Sequence, residues 1–483
     1  MASIRKTEEG DGSNFQLVPA SLTEITPDWC NIVLKKELFL STDTFVSSVN
    51  IKPLENEING MSDGGGFSGS ALVRISLKYC GNVSGKEPSS LVCKLSLGTG
   101  YKLSFIWRMM LYASAREGYD EYMYKQEARF LEHVLPIMES TLYKFPKLYY
   151  CGITDQGARG FATSVILNMP TKVKTVVIME DMKDWRGSSV GIPVSNQDAN
   201  LCFRNVSILH AKFWGENLKD IKSRFKPSKT ERDFRPASYN KFHSILNKLN
   251  FSTDRIKKCI SKARDSDWKT DPMTSLKKDS PLIPHWLTVQ PLEDGTLPIF
   301  EDDLVLEMLN ELAVKAPNYY TKKLKSFFKK PPQTILHGDF HAGNHMYGTH
   351  EHIGKIVALD YQWAGPGRVA TEFVYFFMQS LSPHSLEDIM DISKSYHTEL
   401  LVNGVNDYSW EEFVDDITMT ITGMSVSLLS LFPSLSPTKL LEFADGMGNN
   451  REAAKKIFAN CMYGKFFLFL TSLYVNDKEG FLN

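Results

Sequence analysis

The 483-residue sequence has no Cys-x-x-Cys pair, no evident internal repeat, no apolar run long enough to cross a bilayer and no surplus of either charge. Its seven cysteines (Cys30, Cys80, Cys93, Cys151, Cys202, Cys259 and Cys461) stand singly. An odd total without close pairs argues against a disulfide framework and against a cysteine zinc site, and it fits a reducing compartment. Lys and Arg number 55 against 56 Asp and Glu, a formal net charge of −1, so no global field draws in nucleic acid or an anionic membrane. The most lipid-like stretch, FFLFLTSLYV at 466–475, is half of the roughly 20 residues a spanning helix needs, and it is expected to be a buried C-terminal helix. The opening MASIRKTEEGDGSNFQ lacks the apolar segment of a secretory signal, and EGFLN matches no retention or lipidation signal. A cytoplasmic chain is expected, and the Asn-x-Ser triplets at Asn82, Asn205 and Asn250 then read as chance.

What is present divides the chain in two. After a polar N-terminal tail, SDGGGFSGSALVRISLKYC and SSLVCKLSL read as strands joined by a hairpin loop, GNVSGKEP. EYMYKQEARFLEHVLPIM has apolar residues at helical spacing (Tyr124, Ala128, Leu131, Leu135), with Pro136 as its stop. LYYCGIT, GFATSVILNM and TVVIMEDM supply further strands. Beyond Asp184 the pattern turns helical, interrupted by a polar, lysine-rich insertion over about 217–297. In the second half only QTILHGD and GKIVALDY read as strands. The outline is a sheet-rich first lobe and a helix-rich second one, with room for an active site between them.

Five of the eleven histidines fall in ILHGDFHAGNHMYGTHEHIGKIVALDY, residues 335–361. One reading is zinc, held by His341 and His345 with His337 or Asp339 and a distant carboxylate, as in a hydrolase. That step of four requires helix through Gly343 and Asn344, both poor helix formers, and no Glu follows His341 as in HExxH enzymes. The other reading is phosphoryl transfer, which needs a carboxylate beside the attacking hydroxyl and hard oxygen ligands for Mg²⁺. HGDFHAGN supplies Asp339 and, five residues on, Asn344; ALDY supplies Asp360 at the end of an apolar strand. An aspartate, an asparagine at that interval and a later aspartate form the kinase catalytic-loop pattern.

At HGDFHAGN and LDYQ the chain resembles the small-molecule kinases of the aminoglycoside phosphotransferase and choline kinase superfamily, and among them the ecdysteroid-kinase-like family. In order of elements the resemblance spans about residues 60–400. HGDxxxxN stands where protein kinases have HRDxxxxN, and no APE segment follows, so the resemblance implies a small acceptor rather than a protein. It implies a two-lobed, protein-kinase-like α+β fold: an N-terminal lobe over 1–182, and a helical C-terminal lobe over 183–483 with its catalytic loop at 337–344. It also implies ATP and Mg²⁺, with transfer to a hydroxyl group, a steroid-like or other lipophilic alcohol being favoured. A catalytically silent nucleotide-binding protein of the same fold is the alternative.

Residue by residue, the resemblance makes Asp339 the base, Asn344 and Asp360 the metal ligands, and His337 a residue that fixes the loop. Lys94 in LVCKLS would grip the ATP phosphates and Glu127 in YKQEARFL would orient it. In DGGGFSGS, residues Gly66, Phe67, Ser68, Gly69 and Ser70 would turn over the phosphates, although the order is not GxGxxG. In VVIMEDM, the backbone from Glu180 to Met182 would bond adenine, with Met179 packing nearby. His210 and Trp214 in ILHAKFW are expected in the core. Tyr361 stands where the family often has Phe, which requires a partner for its hydroxyl. Trp363 is open between acceptor pocket and core.

Overall fold

The computed structural model describes residues 5–6, 18–36, 39–54, 70–96, 119–154, 167, 173–188, 193–226, 257, 276–277, 284–293, 296–319, 323, 327, 333–381, 386–431 and 463–482. The chain is α+β, sheet-rich in its N-terminal part and helical in its C-terminal part. It forms two compact units: residues 1–186 with 224–226 and 346–364, and residues 187–223 with 227–345 and 365–483.

The first unit is built on six strands, β1 (Arg5–Lys6), β2 (Thr44–Pro53), β3 (Ser70–Gly81), β4 (Ser90–Ser96), β5 (Leu148–Thr154) and β6 (Lys174–Glu180), in the order β1-β5-β6-β4-β3-β2. All the neighbouring strands pair antiparallel except β1 with β5. Strand β4 is interior to the sheet, and Lys94 lies opposite Leu72 of β3 and Val177 of β6. Buried Val73, Ile75, Leu91, Cys93, Leu95, Val176 and Ile178 make one apolar face, covered by Trp29, Cys30, Val33 and Leu34 of helix α1 (Pro27–Lys36).

Helix α1 and strand β2 occupy what the sequence pattern presents as a polar tail. Pro27 opens α1, and Thr26 Oγ1 accepts the Trp29 N–H at 3.2 Å, a start signal of the usual kind. Strand β2 buries Thr44 and Val46 and exposes Phe45 and Ser47, a period of two that marks it as half-buried. Helix α2 (Tyr119–His133) ends three residues earlier than its proline suggests. A one-turn helix, Leu135–Met138, follows, with Pro136 in its first turn where no backbone N–H is required. The expected strand GFATSVILNM lies outside the described residues, Leu167 excepted.

Residues 346–364 complete this unit. Their hairpin joins β8 (His345–Tyr347) to β9 (Ile356–Ala358), strands of three residues that are too short to show a period. Gly348 is obligatory there, since an added Cβ would lie 1.9 Å from the carbonyl oxygen of His352.

In the second unit, helix α3 (Asn196–Lys212), capped by Ser195, packs on α6 (Leu386–Val402). Helix α5 (Val369–Ser380) packs on α7 (Trp410–Leu431), and α4 (Asp303–Tyr319) packs on α8 (Tyr463–Asn476). The run FFLFLTSLYV falls inside α8, where Phe467, Leu468 and Leu470 are buried. Strand β7 (Thr334–Leu336) pairs antiparallel with β10 (Gly365–Gly367). Phe203 sits at the centre of the core, with the rings of Phe340, Phe373, Phe376 and Tyr396 all within 5.6 Å of it. Of the insertion, the described parts include a short helical turn at Lys219–Lys222 and a two-strand pair, Leu276–Lys277 with Thr296–Leu297.

Candidate active site

In the first unit, Lys94 is buried in the sheet, and its Nζ donates to Glu127 Oε1 at 2.9 Å and to Asp360 Oδ1 at 2.8 Å. Burial alone would lower the lysine pKa, but the Asp360 and Glu127 carboxylates outweigh it and hold the value above the ordinary one. The ammonium is therefore charged at any working pH. For Glu127, burial is the largest influence and pushes the pKa up, opposed by Lys94. Its second oxygen, Oε2, is buried with no hydrogen-bond partner among the described residues.

Asp360 reaches Lys94 from a left-handed backbone conformation, φ +61°. Aspartate tolerates that region better than most residues, yet outside glycine it is uncommon and concentrates at functional sites. The turn after it is anchored in the unit's own core. The Tyr361 ring stacks on Phe130 at 3.9 Å, and its hydroxyl donates to the Ala358 carbonyl and pairs with the Tyr143 hydroxyl, both at 3.1 Å. Tyr361 thus fills an apolar slot with its hydroxyl satisfied. Trp363 is buried against Tyr122, so it belongs to the core cluster.

The connector after β6 is also fixed. Arg74 donates to both oxygens of Asp181, at 2.8 and 3.2 Å, and Ser90 Oγ donates to Oδ2 at 2.6 Å. The Glu180 N–H donates to the Lys147 carbonyl, and its carboxylate accepts the Lys147 N–H. Met182 accepts from Trp185 N–H through its carbonyl, while its own N–H makes no bond among the described residues. Ser70 opens β3, whereas Gly66, Phe67, Ser68 and Gly69 lie outside the described residues.

In the second unit, the chain leaves β7 through His337 and Gly338 into Asp339. Gly338 has φ +84°, which only glycine adopts at no steric cost. Asn344 closes the loop, its Nδ2 donating to the Asp339 carbonyl at 2.9 Å and lying 3.5 Å from Oδ2. His341 Nε2 is 3.6 Å from the same Oδ2.

Helix α5 holds this loop at three places. Glu372 Oε1 accepts the Gly338 N–H, Tyr375 Oη donates to Asp339 Oδ1 at 2.8 Å, and Ser380 Oγ accepts the Ala342 N–H at 2.8 Å. Behind Glu372, His210 Nε2 lies 3.0 Å from Oε2, and His210 Nδ1 lies 2.6 Å from the Tyr396 hydroxyl, all buried. His210 is in the core, as expected, yet it supports the loop from there. Trp214 is buried too, its Nε1 donating to Asp407 at 2.8 Å. Glu372 and Tyr375 were not anticipated. A lone glutamate in the apolar helix VATEFVYFF was the available signal, since an acid is buried there only when partnered.

The zinc arrangement does not form. Residues 342–344 make a single 3₁₀ turn and His345 opens β8, so His341 and His345 share no helix face. His345 Nδ1 instead bonds to the His341 carbonyl at 2.9 Å, and burial, with His337 nearby, pushes its pKa down to about 3. Among the described residues, no group of three or more His, Cys, Asp or Glu is placed to hold a metal ion. His350 and His352 lie in a turn of the β8–β9 hairpin, where the His352 ring stacks on Trp185.

Oxygen chemistry of the kind Mg²⁺ requires is nevertheless present. With Asn344 Nδ2 spent on Asp339, its amide oxygen is left to accept, and Asp360 uses Oδ1 alone on Lys94. Each of these oxygens, taken by itself, is of the hard kind that a cation such as Mg²⁺ accepts.

None of the curated proteins matches the sequence at a significant level. Among solved structures, the chain is similar to the microcompartment-associated aminopropanol kinase, with 11% identity over 90% of this chain and 95% of that one at a TM-score of 0.35. It is also similar to macrolide 2′-phosphotransferase of Brachybacterium faecium, with 10% identity over 87% and 98% at a TM-score of 0.34. A third is the streptomycin–ATP–APH(2″)-IIa ternary complex, with 14% identity over 83% and 95% at a TM-score of 0.29. Residues 299–404, the stretch that carries Asp339, Asn344, Asp360 and Glu372, match the model of the ecdysteroid kinase-like family.

Proposed function

We propose that this protein transfers the γ-phosphoryl group of ATP to a hydroxyl group of a small organic molecule. The observation that carries the reading is the Lys94 ammonium held between Glu127 and Asp360, residues 33 and 266 positions away in the chain. A buried lysine clasped by two carboxylates supplies a fixed positive charge for phosphate oxygens, and Asp360 keeps a second oxygen for a cation. Mg²⁺, when bound by Asn344 and Asp360, would neutralise charge on the phosphates. The Met182 N–H and the Glu180 backbone would receive the adenine edge, on a connector that Asp181 keeps in shape through Arg74 and Ser90.

Asp339 orients the acceptor hydroxyl. As its oxygen bonds to the γ-phosphorus, the bond to the ADP oxygen breaks and the hydroxyl proton passes to the Asp339 carboxylate. The family match supports an ecdysteroid-like or other lipophilic alcohol as acceptor. The location we propose is cytoplasmic, on the unpaired spacing of the seven cysteines; no described helix is long and apolar enough to cross a membrane.

The test is ATP consumption with Mg²⁺ over a panel of acceptors comprising an ecdysteroid, choline and an aminoglycoside. Wild type should turn over at least one, and Asp339→Ala should lose about 10³-fold or more in kcat while binding nucleotide as before. Retained turnover in the variant refutes the role of Asp339. Nucleotide binding without turnover of any acceptor would favour a silent nucleotide-binding protein.

A further inference from the structure

We infer that Tyr375 is a positioning residue for Asp339, its hydroxyl setting the orientation of the base carboxylate toward the acceptor; this rests on the phosphotransferase reading above. Every residue of α5 except Tyr375 is buried. Packing would be served by an apolar side chain at 375, but the hydroxyl is directed at Asp339 Oδ1, 2.8 Å away.

Three other groups near this aspartate stand farther off. His341 Nε2 and Asn344 Nδ2 stand 3.6 and 3.5 Å from Oδ2, and the His337 ring reaches the Asp339 backbone N–H at 3.4 Å, not the side chain. Those distances lie at or past the limit of a directional hydrogen bond. Of these four contacts, the bond from Tyr375 has normal length, and it restrains how the two oxygens turn about the last side-chain torsion. That torsion is broad when nothing restrains it.

The placement has a mechanical basis. Glu372 and Tyr375 are three residues apart on one helix and therefore on one face. Glu372 grips the backbone at Gly338 and Tyr375 grips the side chain at Asp339, so one rigid helix defines both the position of the base and its rotation. A hydroxyl misdirected by even a small angle loses rate rather than binding, because the near-attack geometry of acceptor, base and phosphorus is what suffers.

The experiment compares wild type, Tyr375→Phe, Asp339→Ala and the double variant. Mg-ATP is supplied with whichever ecdysteroid, choline or aminoglycoside acceptor the wild type turns over fastest. Tyr375→Phe should lower kcat about 10- to 100-fold, with KM for ATP and the thermal unfolding midpoint unchanged. In the Asp339→Ala background it should cost nothing further, because a residue acting through the base has no effect once the base is gone. Wild-type kcat in Tyr375→Phe, a rise in kcat, or an equal loss in both backgrounds would overturn the role of Tyr375. A wild type that consumes no ATP with any acceptor would overturn the phosphotransferase reading itself, and the role of Tyr375 with it.

Discussion

Replacing Lys94 by Met keeps the length and apolar bulk of the stem and removes the ammonium. Glu127 and Asp360 each place an oxygen 2.8 to 2.9 Å from that nitrogen. In the variant, the two carboxylates would face each other across about 6 Å, where at an effective dielectric near 20 they repel by about 3 kcal/mol. The Glu127 side chain is 5% exposed and that of Asp360 29%, so Glu127 is the one that takes up a proton to relieve the strain. The repulsion raises the Glu127 pKa further, added to the upward push of burial. Between the unfolded value of about 4.3 and the raised folded value, the native state then binds more protons than the unfolded chain, so stability falls as pH rises through that window. Lys94→Met should accordingly be destabilised by about 3 kcal/mol at pH 8 and recover most of that at pH 5. Wild type, in which Lys94 stays charged and opposes the push on Glu127, should show a shallower slope. Urea unfolding followed by tryptophan fluorescence at pH 5, 6.5 and 8 measures this, with Lys94→Met/Glu127→Gln as the partner variant. The double variant should regain about 2 kcal/mol at pH 8 and lose the slope. A pH-independent loss, or a double variant no more stable than the single one, would refute the electrostatic account.

Two further substitutions probe the scaffold. Gly348→Ala places a Cβ 1.9 Å from the His352 carbonyl oxygen, so the β8–β9 hairpin must shift; a cost of about 1–3 kcal/mol should appear as a lower thermal midpoint, and an unchanged midpoint would mean the hairpin yields freely. Glu372→Leu strips the buried Gly338 N–H and His210 of their acceptor and should cost about 3–5 kcal/mol, whereas Glu372→Gln keeps an acceptor for Gly338 and should cost less; equal losses in a calorimetric comparison would show that the charge, not the backbone bond, holds the loop.

How much of this was legible in the sequence depends on the range of each interaction. Asp339 and Asn344 stand out because a loop that bonds its own side chain to its own backbone needs fixed residue types at a fixed short interval. Lys94, Glu127 and Asp360 were suggested by their order along strand, helix and strand end, and the structure does bring them together. Tyr375 was out of reach of such reasoning and Glu372 showed only as a lone acid in an apolar helix, since what they touch is decided by how α5 packs, not by their neighbours in the chain. Helix α1 and strand β2 were missed for another reason. Their apolar positions, among them Trp29, Val33 and Val46, are few and diluted by Ser, Thr and Lys, so composition hid a periodicity that burial reveals. The three-residue strands β7 to β10 are below the length at which any period can be read.

The inclusion of residues 346–364 in the first unit has a consequence for how the chain is made. The clasp on Lys94 cannot close until a segment some 250 positions downstream has left the ribosome, since Asp360 is 266 residues beyond its partner. Until then the nascent sheet carries a buried cation with only half its counter-charge. A fragment ending near residue 186 would inherit the same deficit permanently, so excising the N-terminal region at that point should give an insoluble or protease-sensitive product rather than a folded nucleotide-binding module.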